Sequence, residues 1–194
     1  MSHIAGLIAG GEHPSPFKYA DTVMTTVHKT LRGPRSAIIW SRKDERGLGS
    51  AIDKAVFPGL QGGPHMNQIA SVAVSLDEAG KSSFKSYAKQ VVLNAKSLSA
   101  ELKSMGWRNI SGGTDTHLIL IDTWMNGSGI SGKEASERLE KEGVIVNKNM
   151  IPGETRSAKD PSGIRVGTAA ETTRGKKESD FIEIARLIDR VLRK

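Results

Sequence analysis

Between Phe84 and Met105 the apolar residues Phe84, Tyr87, Val91, Ala95, Leu98, Leu102 and Met105 recur at spacings of three and four, and Gly106 follows. That spacing puts all seven on one side of a long α-helix. An apolar stripe of that kind is core packing, and a chain that carries it has to bury it against other elements. It is the clearest element in the sequence.

The elements around it predict an α/β chain. Strands are expected at residues 22–27 and 36–40, on either side of the turn Arg32-Gly-Pro-Arg35. A charged, Gly-containing loop follows at 42–50, and a second Gly-rich loop at 58–64. The first sixty residues thus read as short strands and loops. Pro64 suits the first turn of a helix that ends at Gly80, with Met66, Ile69, Val72, Ala73 and Leu76 on one face. Beyond the long helix, strands are expected at 107–110 and 117–123. Ser131 with Glu134 reads as a capping box opening a helix that Gly143 closes. A strand at 144–146, a long polar loop at 148–163 and a strand at 164–167 come next. Phe181, Ile184, Ile188 and Leu192 mark a last amphipathic helix. The order β-β-α, then α-β-β-α-β-β-α, predicts two α/β pieces divided near Ser82 and Ser83.

Composition narrows the function classes. The 194 residues contain no cysteine, which excludes a disulfide framework, thiolate-ligated zinc, an iron–sulfur cluster and a cysteine nucleophile. The longest apolar runs are too short to span a bilayer, and the N-terminus lacks the basic and apolar regions of a signal peptide. The reading is a soluble, cytoplasmic protein with no membrane partner. Lys plus Arg is 28 against 21 for Asp plus Glu, a net charge of +7. That balance favours anionic partners: phosphorylated cofactors, polyglutamate-like substrates or nucleic acid. Clusters at Arg32/Arg35 and Lys176/Lys177 could serve nucleic acid, but no recognition motif or aromatic stacking platform accompanies them.

Residues 25–35, Thr-Thr-Val-His-Lys-Thr-Leu-Arg-Gly-Pro-Arg, carry the most chemistry. Three basic side chains, a histidine and three hydroxyls fall within this stretch. A lysine at a strand end, beside threonines and a histidine, suits a Schiff-base nucleophile, because burial and nearby cations push its amine toward the neutral form. Hydroxyls, backbone N–H groups and a Gly-rich loop such as Gln61-Gly62-Gly63 suit a phosphate. The alternative is a solvated basic turn after a strand.

The blocks His3-Ile-Ala-Gly-Leu7, His13-Pro-Ser-Pro16, Tyr19-Ala-Asp21 and the 25–35 stretch closely resemble serine hydroxymethyltransferase. So do Phe57-Pro-Gly-Leu-Gln-Gly-Gly-Pro64, Ser111-Gly-Gly-Thr-Asp115, Val146-Asn-Lys-Asn149 and Ser162-Gly-Ile-Arg-Val-Gly-Thr168. They stand in the family's order and spacing and cover essentially the whole chain. The resemblance implies a fold-type-I pyridoxal-phosphate enzyme, represented here by part of its large domain (residues 1–82) and a complete α/β small domain (residues 83–194). It implies interconversion of serine plus tetrahydrofolate with glycine plus 5,10-methylenetetrahydrofolate, in a homodimer with shared sites.

Carried over residue by residue, Lys29 resembles the lysine that forms the Schiff base with the cofactor. His28 matches a position that influences substrate specificity, His3 a cofactor-contacting histidine, and Thr26 a hydroxyl that assists exchange of the amine. Arg35 matches the arginine of the same loop. Gly62 and Gly63 match the loop that reaches the cofactor phosphate from the neighbouring subunit. Arg165 resembles the arginine that pairs with the substrate carboxylate, a task for a bidentate guanidinium. Phe57 and Asn149 match positions near the folate ring. Residues Ser157, Ala158 and Lys159 align with a folate-contact segment, with lysine where an aromatic is usual. No metal is implied. His65 and His117 read as structural.

The resemblance carries departures with it. Val27 stands where a threonine is common, and Ala169 replaces a proline, which is expected to loosen that turn. The family has a long segment ahead of the His3 block, including an Asp that pairs with the pyridine nitrogen. The expectation is therefore the C-terminal part of the enzyme, with weak cofactor capture and little turnover unless a separate N-terminal half is supplied. A non-catalytic fragment is the alternative.

Overall fold

A computed structural model of the chain describes residues 1–43 and 46–193. The loop expected at 42–50 includes Asp44 and Glu45, which lie outside the described residues. The chain divides into two compact units, Met1–Lys89 and Gln90–Lys194.

The first unit opens on a helix where the sequence suggested only strands and loops. Helix α1 spans Ala5–Gly10 and ends on Gly11 in the left-handed conformation. Its small residues let it pack closely. A Cβ on Gly6 would stand 2.2 Å from the Thr30 carbonyl oxygen, and one on Gly10 would stand 2.2 Å from Ala88 Cβ. Strands β1 (Thr22–Thr26) and β2 (Ala37–Ser41) form an antiparallel pair, with Thr26 opposite Ala37. Helix α2 (Leu48–Lys54) runs on into a wider helical turn, Ala55–Leu60. That turn occupies part of the second expected Gly-rich loop. Helix α3 spans Met66–Ala79. Its buried residues are Ser75 and Ala79, whereas Met66, Ile69 and Leu76 are exposed. The apolar stripe of α3 is thus not its buried face. Small residues pack inward because Gly33 and Val27 approach closely: a Cβ on Gly33 would meet Val27 Cγ1 at 2.4 Å and Ser75 Oγ at 2.7 Å. Helix α4, the long helix expected from the spacing, runs Ser82–Ser104.

The second unit is a four-stranded antiparallel sheet with helices. Strands β3 (Arg108–Asn109), β4 (Leu118–Asp122), β5 (Asn147–Asn149) and β6 (Gly163–Gly167) lie in the order β3-β4-β6-β5. Helices α5 (Gly132–Lys141), α6 (Ala169–Thr173) and α7 (Glu178–Leu192) complete it. Ile119 and Ile121 of β4 and Ile164 and Val166 of β6 join Leu98 and Leu102 of α4, Leu139 of α5, and Phe181 and Ile188 of α7 in one buried core. Alternation along each strand sends the other residues to the opposite face.

Two expectations, one at a strand and one at a helix start, are corrected. The apolar triplet 144–146 does not pair; Ile145 is 84% exposed, and the ladder forms instead at Asn147–Asn149. The expected polar loop therefore begins inside this edge strand. Polar residues and a lysine suit an edge, which has one unpaired side. At Ser131 half of the expected capping box forms: its hydroxyl accepts the Glu134 N–H at 3.2 Å, while the Glu134 carboxylate pairs with Arg138.

Candidate active site

The turn carrying Lys29 connects β1 to β2 and is fixed from several sides. Val27 N–H donates to the Ser36 carbonyl at 2.9 Å, and Gly33 N–H to the Val27 carbonyl at 2.9 Å. Thr30 is buried; its hydroxyl donates to the His3 carbonyl at 2.8 Å and accepts the Gly6 N–H at 2.9 Å. Ser75 of α3 donates to the Leu31 carbonyl at 3.2 Å. Ahead of the turn, the Ser2 hydroxyl accepts the Thr26 N–H at 3.0 Å. The segment carrying His3 thus runs beside the strand carrying Thr26. Val27, where a hydroxyl was expected, is fully buried beneath Gly33. A threonine there would have to find a partner for its hydroxyl in an apolar contact.

Against this fixed main chain, the side chains of Lys29, Thr26 and His28 are unspent. Among the described residues, Lys29 Nζ has no hydrogen bond or ion pair. Thr26 Oγ1 and His28 Nδ1 are buried and have no hydrogen-bond partner. Buried polar atoms are rarely left so. A lysine nitrogen, a hydroxyl and a ring nitrogen without partners suit a polar aldehyde-bearing ligand that condenses with the amine. The residues fit the cofactor that the resemblance implies.

A second cluster in the same unit lines a cleft of about 790 Å³. Arg35, Phe57, Gly62 and Gly63 all stand on its wall. Lys29 is not among its lining residues. Helix α3 starts here, and its N-cap residue His65 makes no side-chain cap. The helix's first N–H groups and its dipole favour an anion at that end, which fits a phosphate beside the glycines. His65 and Gln68 also line the cleft, and Gln68 Oε1 is buried without a partner. The sequence reading gave His65 a structural place and passed over Gln68. The available signal was their position on the first turn after Gly62-Gly63-Pro64.

The second unit holds the remaining candidates on the sheet face away from its core. Arg165 of β6 is flanked across the ladder by Leu120 of β4 and Asn147 of β5. Its guanidinium Nη2 lies 3.4 Å from Asn147 Oδ1, a long contact that leaves most of its donors available. Asn149 lies opposite Gly163, on the same face as Asn147. The 150–162 loop carrying Ser157, Ala158 and Lys159 is held by its own residues. The Glu154 carboxylate accepts Ser162 N–H at 2.9 Å, Ser162 Oγ at 2.7 Å, Arg156 N–H at 2.9 Å and Ile151 N–H at 3.4 Å. Burial pushes the Glu154 carboxyl up, and the hydrogen bonds from Ser162, Arg156 and Ile151 outweigh it, leaving it at about 2. Arg156 stacks over Trp124 at 3.9 Å and pairs with Asp160. Lys148 donates to the Lys159 carbonyl at 2.8 Å. The turn expected to loosen at Ala169 is held by Thr168, whose N–H donates to the His117 carbonyl at 3.0 Å and whose hydroxyl donates to the Val91 carbonyl at 2.9 Å.

Three of the four residues of the basic clusters are engaged internally, and Arg35 lines the cleft. Arg32 stacks on Tyr87, Lys176 pairs with Glu171 at 3.2 Å, and Lys177 donates to Gln90 at 3.1 Å. Among the described residues no helix is long and apolar enough to cross a membrane, and no three or more His, Cys, Asp or Glu side chains come together as they would to hold a metal ion.

Comparison with known proteins bears on the whole chain. The family model for serine hydroxymethyltransferase matches residues 1–188. A serine hydroxymethyltransferase of Desulfotalea psychrophila is 49% identical over 192 residues, covering 99% of this chain and 44% of that protein. Another from Sorangium cellulosum is 49% identical over 191 residues, covering 98% of this chain and 44% of that protein. The chain therefore spans less than half the length of these curated relatives. The mixed α/β architecture is that of the fold-type-I pyridoxal-phosphate transferases, to which this match assigns it. With nearly every residue inside the matched region, the chain belongs to the serine hydroxymethyltransferase family.

Proposed function

We propose that this chain supplies the lysine-bearing half of a site that interconverts serine plus tetrahydrofolate with glycine plus 5,10-methylenetetrahydrofolate, using pyridoxal 5′-phosphate. One observation carries the proposal. Lys29 stands on a turn whose main chain is tied down, and its sequence neighbours Thr26 and His28 carry a hydroxyl oxygen and a ring nitrogen that are buried without partners. When bound, the cofactor supplies an electron sink conjugated to the amino acid's Cα.

The residues of this chain do the rest. Lys29 carries the cofactor covalently through Nζ. Thr26 supplies a hydroxyl to move a proton at that nitrogen, His3 contacts the cofactor, and His28 influences which substrate is accepted. Arg35 serves the site of its own Lys29 loop, and the main chain of Gly62 and Gly63 takes the cofactor phosphate of a neighbouring copy's site in a homodimer. Arg165 binds the amino acid's carboxylate in a two-pronged contact. Phe57, Asn149 and the loop residues Ser157, Ala158 and Lys159 border the folate. Residues 1–82 belong to the cofactor domain and 83–194 to the small domain, together the C-terminal part of a cytoplasmic enzyme. Turnover requires the remaining, N-terminal segment.

The test is covalent trapping. The purified chain is incubated with pyridoxal phosphate, reduced with borohydride and mapped by mass spectrometry, with Lys29→Ala as control. Dominant modification of Lys29 supports the reading. Modification scattered over surface lysines and unchanged in Lys29→Ala overturns it. Adding the N-terminal segment then asks for serine-to-glycine conversion, and no gain in activity counts against a complementing pair.

A further inference from the structure

The turn behind Lys29 contains a strained residue with a use for its side chain. Arg32 has φ +60, in the left-handed region where a Cβ is costly. Glycine takes that conformation without the cost, yet here the glycine is the next residue, Gly33. The Arg32 guanidinium carbon lies 4.1 Å from the Tyr87 ring centroid and 5.3 Å from that of Phe84. Both rings are buried and pack together at 5.3 Å, so they form a fixed wall on the first turns of α4. At its other end Arg32 donates its N–H to the Lys29 carbonyl at 2.9 Å. The neighbouring ties, Ser75 to Leu31 and Thr30 to His3, act on other residues of the turn.

We infer that Arg32 is the positioning residue for Lys29: its stacked side chain anchors the left-handed turn to α4, and its N–H fixes the carbonyl of the lysine. The inference rests on the reading of Lys29 as the cofactor-carrying lysine. It explains why an arginine occupies a position whose backbone favours glycine. Arg32 itself need touch neither cofactor nor substrate.

The test uses the full chain and the Arg32→Gly and Arg32→Lys variants. Each is exposed to limiting pyridoxal phosphate and reduced with borohydride, and modification at Lys29 is timed against Lys96, an exposed lysine of α4. Arg32→Gly keeps the turn's backbone unstrained while removing the anchor. It is expected to slow Lys29 modification about fivefold, the scale of a cation–π contact, and to leave Lys96 unchanged. Arg32→Lys, whose ammonium also stacks on the rings, is expected to recover most of the rate. A purely structural role would not produce a Lys29-specific loss that lysine rescues. Parental Lys29 selectivity in Arg32→Gly overturns this inference alone, as does equal loss in both variants. An absence of Lys29 preference in the parent overturns the reading of Lys29 and this inference with it.

Discussion

Glu154 receives four hydrogen bonds on one carboxylate, from Ile151, Arg156 and twice from Ser162. Replacing it by Gln puts an amide N–H₂ among donors that need an acceptor. Leaving such groups unpaired costs roughly 1–3 kcal/mol, so Glu154→Gln is expected to melt lower at neutral pH. The sign with pH follows from the depressed value. The group sits at about 2 in the folded chain against 4.5 as its ordinary value. Its contribution is fully present above 4.5 and is lost as pH falls toward 2. The gap in melting temperature between parent and variant should therefore close as the pH is lowered through that window. A gap that stays constant from neutral to acid pH would show that the charge on Glu154 does not organise the loop. None of this was legible beforehand: a Glu in a polar loop has no periodicity, and its role comes from where Ser162 returns at the start of β6. Lys29 was legible as a candidate, because its threonine, histidine and arginine neighbours are contiguous in sequence. Gln68 had only the weaker signal of its place on the first turn after Pro64, and the fold is what brings it to the wall that also holds Arg35.

The elements read best where apolar spacing and burial coincide. Helix α4 and helix α7 follow their stripes, and Phe84, Leu98, Phe181 and Ile188 are buried as the spacing requires. Helix α1 was missed because its sequence, Ala-Gly-Leu-Ile-Ala-Gly, is short, rich in glycine and without a side-chain cap. It exists through close approach, which propensity does not reveal. Strand β5 was displaced for a related reason: pairing with β6, not hydrophobicity, selects Asn147–Asn149. The close approach of α1 gives a sharp test. A methyl group on Gly6 would overlap the main chain at Thr30, whereas one on Gly62 would meet nothing within 4 Å. Gly6→Ala is expected to destabilise by more than about 3 kcal/mol, beyond ordinary overpacking because backbone must move. Gly62→Ala should change stability by no more than about 0.5 kcal/mol, as surface changes do. Urea unfolding of both variants decides it. A Gly6→Ala protein as stable as the parent would mean that the contact between α1 and the Lys29 turn is loose.

At the scale of the whole molecule the two units differ in how well they cover their own apolar surface. The second gathers most of its large apolar side chains, from α4, β4, β6, α5 and α7, into one core, with Ile145 left outside it. The first leaves Leu60 at 88% exposure, Met66 at 69%, Val74 at 60% and Phe57 at 58%. These residues come from one stretch, the helical turn after α2 and the outward side of α3. Scattered exposed apolar residues are ordinary, but a concentration of large ones in one stretch marks a surface that associates. The chain on its own is accordingly expected to self-associate through the first unit, as a concentration-dependent rise in mass by sedimentation velocity. Apolar contacts drive this, so added salt should not disperse it; salt instead screens the repulsion between copies that each carry a net charge of +7. Replacing Leu60 and Met66 together by Ser should lower the mass toward the monomer. Because both are exposed, the double variant should keep the parent's melting temperature, each change being worth no more than about 0.5 kcal/mol. A parent chain that sediments as a single monomer at all concentrations would sink the idea. So would a double variant that associates as strongly as the parent, because the contact would then lie elsewhere than on the turn after α2 and the start of α3.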